Sequence, residues 1–291
     1  MMYEAHDTGK IVVTGSNGFI GKQLVSFLKE RNLDVLPVCR EVCNLLDEAG
    51  IRKLFSDYKI SAVVHCAART GFREDVQGAD VFYENLLMYE NINKNLPESC
   101  LFFNLGSGAE FDHTKEISMY KESDLGSRVP TDPYGFSKYI IAKLISNNSN
   151  QINLRLFNVF GSEESENRFV KSAIKKLREK EPIIVFDDKI MDFFFIEDLF
   201  TLILYYLKNY KTTLNPRLPR DLNVCYEEKH TLKDIANIVN SFSSEKVPVW
   251  IRSYKKDKVN YCGDGKNLSN LCLPFLGLRV GLKKTYESTI K

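Results

Sequence analysis

The chain has 291 residues, 44% of them hydrophobic and 27% charged, with a net charge of +2. That length is enough to bury a large core as one domain or one and a half, and the composition excludes a disordered or fibrous protein. The near-neutral charge gives no reason to expect nucleic acid or a membrane surface as a partner.

Residues 11–13, Ile-Val-Val, read as a short strand buried on both faces. Gly15, Gly18 and Gly21 follow at G-x-x-G-x-x-G spacing, and 22–30 has helical periodicity with Leu24, Phe27 and Leu28 on one face. A glycine turn between a strand and a helix is a cradle for a dinucleotide pyrophosphate. One glycine turns the chain, the next lets backbone approach the phosphates, and the last lets helix lie close on strand. The helix N-terminus then offers N–H groups and the positive end of its dipole. Further strands are expected at 33–39, 61–67, 101–105 and 152–157, with helices at 48–58, 81–94 and 134–147. A polar, proline-bearing loop covers 106–133. Alternation over about 160 residues argues for a parallel sheet with helices on both faces. Beyond Gly161 the rhythm loosens: helix 169–180, strand 183–186, helix 197–207, strand 222–225, and helix 231–240 capped by Thr231. A basic, aromatic segment at 250–261 precedes a last helix at 282–290. The basic cluster at 175–180 reads as a solvated helix face.

Seven cysteines, an odd number with no C-x-x-C pair, read as reduced thiols in a cytoplasm. Residues 1–10 do not resemble a leader, and the longest apolar run, 200–207, is too short to cross a bilayer. The histidines His6, His65, His113 and His230 are scattered, and no metal site is expected.

Tyr134 and Lys138 open the long helix as Y-x-x-x-K, which puts both side chains on one helix face a turn apart. An ammonium near a phenol favours the phenolate and lowers its pKa from ~10 toward neutrality. Such a tyrosine exchanges a proton with a carbonyl or alcohol while hydride moves to or from a nicotinamide. Ser107 lies just past the strand 101–105, at the carboxyl edge where parallel sheets bind ligands, and its hydroxyl can polarise the same carbonyl.

Taken together, these motifs resemble the extended short-chain dehydrogenase/reductase family, in the branch acting on nucleotide-activated sugars. The resemblance runs through T-G-x-x-G-F-I-G at 14–21, His65-Cys66-Ala67-Ala68, Asn85, Ser107, Tyr134 with Lys138, Asn158-Val159-Phe160-Gly161, and the acidic-aromatic run 192–198. It implies a doubly wound α/β Rossmann parallel sheet over 1–161, with 183–208 returning to it, and a smaller C-terminal α/β substrate lobe over most of 162–291. It implies Tyr134 as proton donor or acceptor, Lys138 holding the nicotinamide ribose, Ser107 orienting the keto group, and Asn85 supporting the lysine through water. The cofactor would lie against Gly15, Asn17, Gly18, Phe19, Ile20, Gly21, Cys66, Ala67, Ala68, Phe157 and Asn158, with Asn44 and Leu45 bordering the adenine. A homodimer is implied as well, built from the helices 81–94 and 134–147 and hiding Met88 and Ile141.

The second strand ends Val38-Cys39-Arg40, with Glu41 beyond. Arg40 suits a 2′-phosphate and favours NADP, whereas Glu41 on a ribose hydroxyl would make it NAD. Gly108 and Ala109 follow Ser107 where the family's dehydratases carry acids. The cysteine and histidine with which GDP-fucose synthases epimerise are replaced by Ala109 and Arg168. Met191 stands where an arginine often holds the nucleotide diphosphate; Arg168 or Lys189 would supply that charge, and Arg69 and Arg73 are further candidates to face the substrate. The expectation is an NADP(H)-dependent reductase of a nucleotide-bound 4-keto-6-deoxy sugar, in deoxysugar synthesis for surface polysaccharide. The alternatives are a 4-epimerase with tightly bound NAD, or a non-catalytic nucleotide-binding protein of the same fold.

Overall fold

Ile11, Val12 and Val13 form the buried middle of a strand, as their apolar run requires. The computed structural model describes residues 9–70, 78–210, 218–253 and 259–288. In chain order the elements begin β1 Lys10–Thr14, α1 Phe19–Lys29, β2 Val35–Val38, α2 Glu48–Asp57, β3 Ile60–His65, α3 Gly78–Asn95 and β4 Leu101–Ser107. They continue with β5 Ile117–Tyr120, α4 Pro133–Ile145, β6 Gln151–Leu156, β7 Val159–Phe160, α5 Phe169–Arg178, β8 Ile183–Phe186 and β9 Phe194–Phe195. The remainder is α6 Ile196–Asn209, β10 Asp221–Val224, α7 Leu232–Asn240, β11 Val249–Arg252, β12 Tyr261–Gly263, α8 Lys266–Ser269 and α9 Gly277–Ser288.

Six strands form one sheet in the order β10-β6-β4-β3-β1-β2, with β1, β2, β3 and β4 paired in parallel. From β1 the chain winds outward to β2, then crosses back to β3 and proceeds the other way. The direction of winding therefore reverses between β1 and β3, and ligands of doubly wound sheets bind at such a reversal, beyond the carboxyl ends of the strands. Register places Thr14 opposite His65, so Gly15 and Cys66 leave the sheet side by side at that point.

The chain forms two compact units, Met1–Asp112 with Gly126–Arg155 and Leu207–Asp221, and His113–Leu125 with Leu156–Tyr206 and Leu222–Lys291. In the first, Val12, Val63 and Phe102 pack with Ile51, Tyr89, Ile92, Ile141 and Ile145 in a common core. Residues at 3–4 spacing on each helix supply one apolar stripe to it. Met88 and Ile141 belong to this core, at 8% and 1% exposure, so no second copy is needed to bury them. That corrects the expectation that a dimer hides them.

The second unit is held by short parallel pairs, β8 with β11, β7 with β9 and β5 with β12. Val170, Ala173, Ile174 and Leu177 of α5 are buried, as are Ile235, Ala236 and Val239 of α7. Thr231 caps α7 as expected, in a reciprocal box with Asp234. Residues 183–206 lie in this unit, whereas the sequence reading returns 183–208 to the first. The cause is β8, which pairs with β11, a strand made from the basic, aromatic stretch that carries no strand pattern of its own. Likewise the loop 106–133 contains β5, whose partner Tyr261 is distant in sequence.

Candidate active site

The glycine turn is built as its spacing demands. Gly15 has φ of +63°, and a Cβ there would stand 2.8 Å from the Ala67 nitrogen. A Cβ on Gly21 would stand 2.3 Å from the Gly15 carbonyl oxygen, so the helix cannot approach the turn with any larger residue. Gly18 is the N-cap of α1 and lends no side-chain acceptor, which leaves the first-turn N–H groups without a side-chain cap. Gly15, Gly18, Phe19, Ile20 and Gly21 line a cleft of about 470 Å³ together with Arg40, Cys66, Ala68, Arg69 and Thr70. A backbone turn closed tightly by glycines, an uncapped helix start and Arg40 on the cleft wall fit a dinucleotide.

The cleft's floor is neutral. The His65 ring is wholly buried, its Nδ1 2.9 Å from Thr14 Oγ1, and burial with the nearby Lys138 charge pushes its pKa down to about 3. Burial pushes the Cys66 thiol up to about 12. Neither residue titrates near neutrality, so the pair shapes the strand ends without adding charge.

Arg69 is the residue here whose place the sequence left open. Its backbone N–H donates to Asn85 Oδ1 at 2.8 Å and its carbonyl accepts from Asn85 Nδ2 at 2.9 Å, while its guanidinium pairs with Glu84. Asn85 also donates to Ser137 Oγ at 3.1 Å. Its amide thus clamps the loop after β3 to α3 and α4, and both of its N–H groups are spent on Arg69 and Ser137. Asn44 is exposed, with Oδ1 accepting from the Leu46 N–H, and Leu45 is buried, its carbonyl accepting from Asn91. Asn17 is exposed on the turn.

α4 begins where Asp132 caps it, accepting from the Gly135 N–H at 2.8 Å, with Pro133 in the first turn. Tyr134 follows, half-buried, and Lys138 lies one turn on at 3% exposure. Lys138 Nζ donates to the Leu105 carbonyl at 2.8 Å, which ties the helix to β4 two residues before Ser107. Burial lowers the Lys138 pKa to about 8, against the pull of the Glu110 carboxylate in the opposite direction. Ser107 is the last residue of β4, and its Oγ accepts from the Ala109 N–H at 3.2 Å. An acceptor bond to backbone orients this hydroxyl and leaves its proton for donation. The first unit therefore brings together the glycine turn, Arg40, Cys66, Ala68, Ser107, Asn85, Tyr134 and Lys138.

Phe157, Asn158, Arg168 and Lys189 belong to the second unit. Phe157 is buried edge-on to Tyr261. Asn158 Nδ2 donates to the Asp192 carbonyl at 2.9 Å, and its Oδ1 accepts from Arg168 Nη2 at 3.3 Å. Arg168 Nε also donates to Glu164 Oε1 at 3.1 Å, while Glu164 Oε2 is buried with no hydrogen-bond partner. Burial raises the Glu164 pKa to about 7. Lys189 is half-buried, and Arg73 lies outside the described residues. Met191 bridges to Tyr261, and the cation of this region is Lys229, whose Nζ donates to Asp192 at 2.7 Å and to the Tyr226 carbonyl at 2.7 Å. Sequence reasoning passed over both Glu164 and Lys229. The i, i+4 spacing of Glu164 and Arg168 was the available signal for the first; nothing local marks the second.

Among the described residues no group of acidic, cysteine or histidine side chains could hold a metal ion, and no helix is long and apolar enough to cross a membrane.

Sheet order and glycine cradle define a Rossmann-type dinucleotide-binding fold. Residues 11–225 match the family described as "NAD dependent epimerase/dehydratase family", and the chain belongs to it. It is 24% identical to a GDP-L-fucose synthase of Sinorhizobium fredii, with 98% of this chain and 96% of that one covered. It is 26% identical to a UDP-glucose 4-epimerase of Caenorhabditis elegans over 53% of this chain and 55% of that one. The chain spans about half the length of the first several curated relatives it matches. A GDP-mannoheptose C4 reductase of Campylobacter jejuni, solved with NADP bound, shares the fold at a TM-score of 0.83 and 18% identity, over 99% of this chain and all of that one.

Proposed function

We propose that the protein is an NADP(H)-dependent 4-ketoreductase acting on a nucleotide-activated 4-keto-6-deoxy sugar, in deoxysugar synthesis for surface polysaccharide or lipopolysaccharide. The observation that carries this reading is an oriented Ser107 hydroxyl at the end of β4, the strand to which the buried Lys138 ties the helix of Tyr134, next to Gly108 and Ala109, whose side chains have no acid–base function. The nicotinamide supplies hydride. Tyr134 then gives its proton to the sugar's O4, Ser107 donates a hydrogen bond to the same oxygen, and Lys138 stabilises the phenolate that forms. Full-length similarity to a GDP-L-fucose synthase and the NADP-bound state of the C4 reductase support the assignment.

Arg40 on the cleft wall supports NADP over NAD, since a guanidinium forms a charge-assisted pair with a 2′-phosphate. Arg168 and Lys189 would take the diphosphate of the sugar nucleotide, and Asn158 the sugar. A cytoplasmic homodimer is the expected form.

The deciding experiment offers a panel of 4-keto-6-deoxy sugar nucleotides with NADPH and with NADH. Turnover of added NADPH supports the reductase. Purified protein that keeps NAD through dialysis and interconverts 4-epimers without net oxidation would instead make it an epimerase, the activity named for the Caenorhabditis elegans relative. Cofactor binding with neither activity would leave a binding protein.

A further inference from the structure

Glu110 has no place in the chemistry above, yet it is completely buried three residues after Ser107. Its Oε1 accepts from the Ser107 N–H at 2.8 Å, and together with the Ser107 bond to Ala109 this closes the 3-10 turn Gly108–Phe111 as a reciprocal box. Its Oε2 accepts from Arg155 Nε at 2.6 Å and Asn153 Nδ2 at 3.0 Å. Arg155 in turn forks onto both oxygens of Asp221 at 2.9 Å, and Asn153 accepts from Asn104 at 2.7 Å. One carboxylate thus ties the turn to the middle of the sheet. Both of its oxygens are engaged, so it is not a stand-in for the acids of a dehydratase.

The same turn touches the tyrosine helix. A Cβ on Gly135 would lie 2.8 Å from the Ala109 carbonyl oxygen, so the turn sits directly on the residue after Tyr134. Whatever fixes the turn fixes Ser107 at its start and the seat of Tyr134 at its side. A buried Glu–Arg pair is a poor device for stability alone, because apolar residues of similar volume commonly serve as well. Glu110 Oε1 on the Ser107 N–H and Lys138 Nζ on the Leu105 carbonyl meet β4 two residues apart; burial pushes the Glu110 carboxyl up while the Arg155 guanidinium holds it down, and its negative form favours the Lys138 ammonium. The other titratable groups beside Lys138 are Cys66 and His65, both neutral near pH 7, and Tyr134 one turn back on the same helix, while Arg155 and Asp221 face the carboxylate itself.

We propose that Glu110 is a positioning residue for the reaction: its carboxylate fixes the turn that sets Ser107 against the Tyr134 helix, and its charge acts on the buried Lys138 ammonium. This rests on the reductase reading above.

The test compares wild type with Glu110→Gln and with Glu110→Gln/Arg155→Gln. Glutamine keeps an acceptor for the Ser107 N–H but drops the charge. The double variant leaves no buried charge without a partner, since Asp221 is one-third exposed and can be hydrated. Loss of a negative neighbour lowers the pKa of an ammonium, so the alkaline limb of the kcat profile should move down by about one pH unit, with kcat reduced about fivefold at pH 8. KM for NADPH should stay within about twofold, because only charge-dependent positioning changes. Independently of any substrate, the Lys138 signal in a lysine-13Cε NMR titration, assigned with Lys138→Met, should titrate about one unit lower.

Folded variants that bind NADPH and titrate like wild type would overturn the proposal. So would failure of both variants to fold, which would make Glu110 a residue of the fold alone. If wild type reduces no 4-keto sugar, the functional reading fails, and the Lys138 titration still decides whether Glu110 acts on the lysine.

Discussion

The glycine turn and the Asn158–Arg168–Glu164 cluster make opposite kinds of site. At the turn the shape is set by backbone: Gly15 at positive φ, Gly21 against a carbonyl, and a helix start with no side-chain cap. Around Asn158 it is set by side chains leaning on side chains, ending in an exposed guanidinium. A backbone cradle accepts one shape of ligand, whereas a side-chain cluster changes its preference with one substitution.

Four substitutions test this contrast. Tyr134→Phe should lower kcat by roughly 10²–10⁴-fold while calorimetry finds NADPH affinity unchanged; a variant with wild-type turnover would remove the proton-transfer role. Arg40→Ala should weaken NADPH by about 10–100-fold and NADH by much less, since only NADPH loses a charge-assisted pair. Equal weakening of the two would point to Glu41 and NAD instead.

Arg168→Ala comes next, with an expected rise of about tenfold in KM for the sugar nucleotide and none in KM for NADPH. A shift in both would show that the two ends do not act separately. The smallest effect is on stability. The folded Glu164 keeps its proton up to about pH 7, against an ordinary value of 4.5. Between those values the folded state binds the extra proton, so this carboxyl's contribution to stability is full below about pH 4.5 and is lost as pH rises toward 7. Glu164→Gln has no such proton to lose and should flatten the thermal midpoint across that window; an unchanged slope would mean that the carboxyl is solvated.

Much of the first unit was legible because its determinants are local. A strand, three glycines and a helix occupy adjacent residues, and Y-x-x-x-K needs only one turn of helix. Strand existence at 101–105 was read correctly, but β4 runs on to Ser107, because Ser107 caps the turn that Glu110 closes. The network of Glu110 with Arg155 and Asp221 joins residues 45 and 66 apart, and no periodicity marks such pairs. The same reason hid β5 and β11, short strands whose partners lie far along the chain. Met88 and Ile141 were placed at a surface by analogy, and their own helices bury them.

By itself the sequence determined the glycine turn, the placing of Tyr134 and Lys138 on one helix face, and the family, since each depends on spacing within a few residues and, at the turn, on backbone that only glycine allows. Only tertiary structure decided where 183–206 belongs, which cation accompanies Asp192, and what holds Ser107 in place. Those depend on contacts between residues tens to a hundred positions apart, formed once the sheet has set its register.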